Sequence, residues 1–215
     1  MNETYKRNRR KEEIFNTVSH AAGVLLATAG MTVLIVLGAI YGTVWHVVSY
    51  TVFGLTMITL YAASTLFHAA ARPRLKYYLN KFDHAAIYLL IAGSYTPISL
   101  ISLRGPIGWT LFGSIWALAI SGVVFKIWFY SARWRKLSAW LYVLMGWLVV
   151  VAIVPVIRNV PPLSLWLLLA GGLSYTAGVL FYLKKRVRYF HFVFHLFILA
   201  GSICHFFSFL FLIEF

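Results

Sequence analysis

The stretch Arg186-Val187-Arg188-Tyr189-Phe190-His191-Phe192-Val193-Phe194-His195 opens the last apolar run of the chain, which continues to Phe215. Two arginines stand just before the run, and from His191 to Ile213 no Asp, Glu, Lys or Arg interrupts it. A helix needs about 20 apolar residues to cross the hydrocarbon core, so this reads as a membrane span whose basic flank marks one face. The span also carries two histidines four residues apart. On a helix both imidazoles lie on one face, about 6 Å apart along the axis. Ionisable groups at the edge of a membrane are costly unless something binds them, and a metal ion is the obvious candidate. The remaining ligands must then come from elsewhere in the chain.

Composition extends the membrane reading to the whole chain. Of 215 residues, 61% are hydrophobic and 11% charged, against roughly 25% charged in a soluble domain. Aromatic residues make up 18%, with eight Trp, as expected of side chains that populate two membrane interfaces. A net charge of +14 in a soluble protein would point to nucleic acid. Here the basic residues sit in short segments between apolar runs, so nucleic acid is not the expected partner. Cys204 is the one cysteine, which excludes an intramolecular disulfide and a cysteine-based metal site. The polar, basic start from Met1 to Glu13 has no short apolar core or small-residue cleavage site after it, so it does not read as a secretory signal.

Seven apolar runs can be marked, at 16–40, 45–70, 83–103, 109–128, 139–157, 163–183 and 191–213. The expected fold is all-α: a polytopic bundle of seven transmembrane helices, with residues 1–15 as a basic cytoplasmic tail and 16–215 as one membrane domain. Connections are short, so consecutive helices are expected to be antiparallel neighbours. Pro97 and Pro155 are expected to kink their spans. Orientation follows from the basic residues. Lys6, Arg7, Arg9, Arg10 and Lys11 precede the first run. Arg72, Arg74, Lys76 and Lys81 follow the second. Lys126, Arg133, Arg135 and Lys136 flank the connection after the fourth, and Lys184, Lys185, Arg186 and Arg188 follow the sixth. Only Arg104 and Arg158 of the 19 fall on the other side. The positive-inside rule puts the N-terminus in the cytoplasm and the C-terminus outside.

Given that topology, the polar residues inside the spans become informative. His20, His68, Asp83, His191 and His195 come from four helices and all fall near the cytoplasmic face. Three neutral imidazoles with an open position form a catalytic type of zinc site, so His68, His191 and His195 are read as metal ligands. Asp83 is a fourth ligand, a carboxylate that orients a ligand, or a general base on a metal-bound water. Ser64 lies one turn from His68 on the same helical face, within reach of a water or an oxyanion. The bland alternative is that these histidines only bond carbonyls, hydroxyls or Asp83 between helices. His84 is read as interfacial and structural, His46 as interfacial, and His205 as a residue that hydrogen-bonds across helices near the bilayer middle.

Four motifs carry a family resemblance: Glu13-x-x-Asn16-x-x-Ser19-His20-x-x-Gly23, Ser64-x-x-x-His68, the run Phe82-Asp83-His84 through Tyr95-Thr96-Pro97, and His191-x-x-x-His195 followed by Gly201-Ser202-Ile203-Cys204-His205-Phe206. With the seven-span pattern, they make the chain resemble the bacterial hemolysin III proteins within the progestin and adipoQ receptor superfamily. The resemblance implies zinc on His68, His191 and His195, with Asp83 holding the zinc-bound water and Ser64 beside it. It also implies a bacterial plasma-membrane location. For eukaryotic relatives it implies ceramidase-like lipid hydrolysis at the zinc site.

Two functions follow as expectations. One is a zinc-dependent hydrolase acting on an amide or ester of a membrane lipid, with Asp83 and Ser64 in the chemistry. The other is a non-enzymatic membrane regulator in which zinc ties helices together. A transporter is disfavoured because only His205 among ionisable residues lies near the midplane. A lytic role rests on the family name alone.

Overall fold

A computed structural model describes residues 3–129, 131, 134–184 and 187–213, with side chains from Arg10 onward. Arg133, Lys185, Arg186 and the side chains of Lys6, Arg7 and Arg9, all counted among the basic flanks, lie outside the described residues, as does Phe215 at the end of the last run. Among the described residues the protein is helical without a strand, and seven helical spans are long and apolar enough to cross a membrane. Inside a bilayer every backbone N–H and C=O must be satisfied within the protein, and continuous helices do so.

The helices are α1 (Glu3–Tyr41), α2 (Val44–Ala69), α3 (Pro73–Pro97), α4 (Pro106–Val124), α5 (Arg135–Gly146), α6 (Ile153–Asn159), α7 (Pro162–Leu183) and α8 (Phe190–Leu210). Three of them start on proline, whose missing N–H costs nothing at a first helical position. Gly105, with φ of 94°, makes the left-handed turn into α4. The segment read as a tail is helical from Glu3 and runs into the first span without a break.

Two features of the spans depart from uniform α-helix. After Pro97 the third span widens into a π-helical turn, Ile98–Ser102. The fifth span is broken: α5 stops at Gly146, a tight 3₁₀ stretch covers Leu148–Ala152, and α6 resumes. Pro155 falls in the first turn of α6, where its missing N–H is harmless, so the break precedes it. Tyr95 repairs the break. Its hydroxyl donates to the Gly146 carbonyl at 2.7 Å and accepts from the Val149 N–H at 2.7 Å.

Packing closes a ring. Helix α1 packs on α2, α2 on α3, α3 on α5, α5 on α7, α7 on α8, and α8 back on α1. The third span is the centrepiece: 72% of its apolar stretch is buried, against 17% for the fifth. Helix α4 lies outside the ring against α3, so the expectation of neighbouring consecutive spans fails at α4 and α5. Their junction is bridged at its end by Lys126, which is buried with Nζ 3.2 Å from Ser138 Oγ and lies 5.9 Å from the Tyr142 ring. Large apolar side chains such as Leu25, Trp128, Leu144 and Val151 remain exposed on the outside, as lipid-facing surfaces require.

The ring encloses a cavity of about 250 Å³ bordered by all six of its spans. His205, which lines its deep end, packs directly on Gly171. A Cβ there would collide with the His205 ring and come within 3.1 Å of the Gly201 carbonyl oxygen. Replacing Gly171 with Val is expected to cost about 1–3 kcal/mol through overpacking. Thermal unfolding in detergent should show this as a lower melting temperature.

Candidate metal centre

Each histidine of the site owes its place to a helix end. His68 is in the last turn of α2, just before the chain reverses at Ala70. His191 and His195 occupy successive turns at the start of α8. That helix begins only after Tyr189, a left-handed residue with φ of 63°. Docking α8 between α1 and α7 brings both of its histidines to the end of α2.

The three rings form a compact triangle. Ring centroids are 5.0 Å apart for His68 and His191, 5.0 Å for His68 and His195, and 4.7 Å for His191 and His195. One nitrogen from each ring lies within 4.8 Å of the others, so the three could hold one metal ion. His68 and His195 are buried and His191 is partly so. The Nε2 atoms of His68 and His191 are 3.2 Å apart. Two nitrogens bound to one tetrahedral zinc at 2.0–2.1 Å would be separated by roughly 3.3 Å.

The donor chemistry also fits a cation. His68 Nδ1 is 2.7 Å from Glu13 Oε2. A carboxylate only accepts, so Nδ1 carries a hydrogen, and Nε2 is the nitrogen turned toward His191. His195 Nδ1 is 3.4 Å from Ser19 Oγ, and Ser19 already donates its own hydrogen to the Asn16 carbonyl at 3.0 Å. The hydroxyl therefore accepts from Nδ1, which leaves the lone pair of His195 on Nε2. His68 Nε2 and His191 Nε2 meet in a partly buried space, and two such nitrogens need a hydrogen or a cation between them.

Asp83 and Ser64, the other two expected site residues, line the same cavity as His191 and His195. Asp83 stands outside the three-nitrogen group, with its side chain 13% exposed and Oδ2 3.5 Å from His84 Nδ1. Ser64 is buried in the wall. His20 joins as its depth implied, stacked on the His195 ring at 3.6 Å. His84 is not interfacial: it is buried, with Nδ1 donating to the Asn80 carbonyl at 2.8 Å and Nε2 accepting from the Tyr182 hydroxyl at 2.9 Å. His46 caps the start of α2, its Nδ1 accepting the Thr43 N–H at 3.1 Å. His205, at the far end of the cavity, meets the Tyr175 ring edge-on at 5.2 Å. Sequence reasoning gave Glu13 no role. Its only signal was its place seven residues before His20 in Glu13-x-x-Asn16-x-x-Ser19-His20.

The family model for haemolysin-III related proteins matches residues 8–206. The chain belongs to the hemolysin III family. Every residue of the triangle and of its immediate surroundings falls inside the matched stretch. Hemolysin-3 of Bacillus cereus is 46% identical over 201 residues, covering 94% of this chain and 91% of that protein. The Hemolysin-3 homolog of Bacillus subtilis (strain 168) is 43% identical over 201 residues, covering 94% of both. No solved structure matches the chain. Seven apolar helices and membership of the hemolysin III family identify a multi-pass membrane protein, consistent with the bacterial plasma membrane.

Proposed function

We propose that this hemolysin III protein is a zinc-dependent hydrolase that cleaves an amide or ester of a membrane lipid at the cytoplasmic end of the bundle. The observation that carries the reading is the continuity of site and cavity. His191, His195, Asp83 and Ser64 stand at one end of a space that runs to His205 and is otherwise walled mainly by apolar side chains. Such a space suits a hydrocarbon chain, with the polar linkage held among the histidines. The basic residues at the N-terminal end of the bundle support the cytoplasmic orientation.

Zinc held by His68, His191 and His195 would lower the pKa of a bound water to about 7 and polarise a carbonyl. The protein's own groups do the rest. Asp83 takes a proton from the attacking water as its oxygen bonds to the carbonyl carbon. It returns that proton to the nitrogen or oxygen that leaves when the old bond breaks. Ser64 Oγ donates a hydrogen bond to the oxygen on which negative charge gathers. The apolar walls exclude bulk water, which strengthens each of these interactions.

Purified protein incubated with labelled amide-linked and ester-linked lipids tests the proposal. Wild type should release fatty acid, Asp83→Asn should be slower by about 10²–10⁴-fold, and His191→Ala should be inactive. Equal turnover by wild type and His191→Ala would remove this chemistry from consideration. A second reading is favoured by the 3.2 Å approach of His68 to His191, which links α2 to α8. Zinc would then brace the bundle of a regulator. In that case chelation lowers the melting temperature while no lipid is hydrolysed.

A further inference from the structure

We propose that α1, which carries no ligand, is the helix that orients the metal site, with Glu13 as its principal positioning residue. The inference rests on the metal reading above and assigns the groups that aim the ligands. Glu13 uses both carboxylate oxygens: Oε2 holds His68 Nδ1 at 2.7 Å, and Oε1 holds Lys76 Nζ at 2.9 Å. Lys76 is itself fixed at the start of α3, with Nζ 5.2 Å from the Phe67 ring. The carboxylate is thus pinned from two directions. The His68 ring is correspondingly fixed in rotation and in tautomer. An exposed contact would do little, but the His68 side chain is only 3% exposed and that of Glu13 28%.

The neighbouring carboxylate acts on the other ligand helix. Glu12 points about 100° round α1 from Glu13. Its Oε1 accepts the Tyr189 N–H at 3.1 Å, two residues before His191. Tyr189 is the one non-glycine residue with positive φ among the described residues, so the start of α8 is a specified turn that Glu12 grips from outside. Ser19, less than two turns further along α1, accepts from His195 Nδ1. Three side chains of one helix therefore govern the direction of two ligands and the entry of the third.

Zinc affinity of the full-length protein in detergent, measured by competition with a chromophoric chelator, separates this role from a merely structural one. Glu13→Ala is expected to bind zinc about 10–100-fold more weakly than wild type. Glu13→Gln, whose amide oxygen still accepts the Nδ1 hydrogen without the charge, should fall between them. The metal-free melting temperatures should stay close together. If Glu13→Ala does not yield folded protein, the isosteric Glu13→Gln carries the comparison with wild type. Wild-type affinity in a folded Glu13 variant overturns the proposal, as does a loss of metal-free stability with affinity unchanged. Wild type that binds no zinc overturns the metal reading itself, a result distinct from either.

Discussion

Wild-type protein purified with zinc present is expected to carry about one zinc per chain, and His68→Ala essentially none. The reason is geometric. His191 and His195 lie on one helix and His68 alone approaches from another, with its Nε2 3.2 Å from that of His191. Without it, two imidazoles remain on one side of the space. The substitution does not strand a buried charge, because Glu13 keeps its contact with Lys76 Nζ at 2.9 Å. His68→Ala should therefore fold, and the loss can be read as a loss of ligand. Linkage supplies an independent readout, since zinc at 1,000 times its dissociation constant adds about 4 kcal/mol to the folded state. Chelation should lower the melting temperature of wild type clearly and leave that of His68→Ala unmoved. Elemental analysis that finds equal zinc in both proteins would overturn the assignment of the triangle.

Tyr95→Phe is expected to cause a large loss of stability for the removal of a single atom. The hydroxyl satisfies two backbone groups at the break in the fifth span, the Gly146 carbonyl and the Val149 N–H, each at 2.7 Å. Tyr95 is buried, so no bulk water replaces it. Each orphaned group costs about 1–3 kcal/mol, so the pair should cost about 3 kcal/mol. For a chain of this length that corresponds to a fall in melting temperature of roughly 6–12 °C. A fall of less than about 2 °C would mean that the break does not depend on this hydroxyl.

Hydropathy made the spans legible, because an apolar run of this length has no other stable form in a bilayer. It could not reveal the interruption of the fifth, since Gly146 to Pro155 is as apolar as its surroundings and the break is held by a tyrosine from another span. Nor could it mark where α1 begins: the helix runs to Glu3 through a stretch that hydropathy reads as a tail. The position of α4 outside the ring is a property of lateral packing, about which the order of spans is silent. His68, His191 and His195 were legible because depth can be read from distance to the basic connections. Glu13 and Ser19 were not recovered as partners of His68 and His195. That pairing depends on which face α1 turns toward α2 and α8, and its apolar residues are spread all round the helix. Lys126 misled in the opposite direction, counted as a basic flank yet buried against α5.

The ligand triangle draws on α2 and α8, with 123 positions between His68 and His191. A membrane protein inserts its spans as they emerge, so a growing chain with six spans in place holds one ligand of three. Two neighbouring spans cannot form the triangle as a local hairpin, because it needs both α2 and α8. If the triangle holds an ion, as proposed above, its occupancy reports that α8 has joined α2.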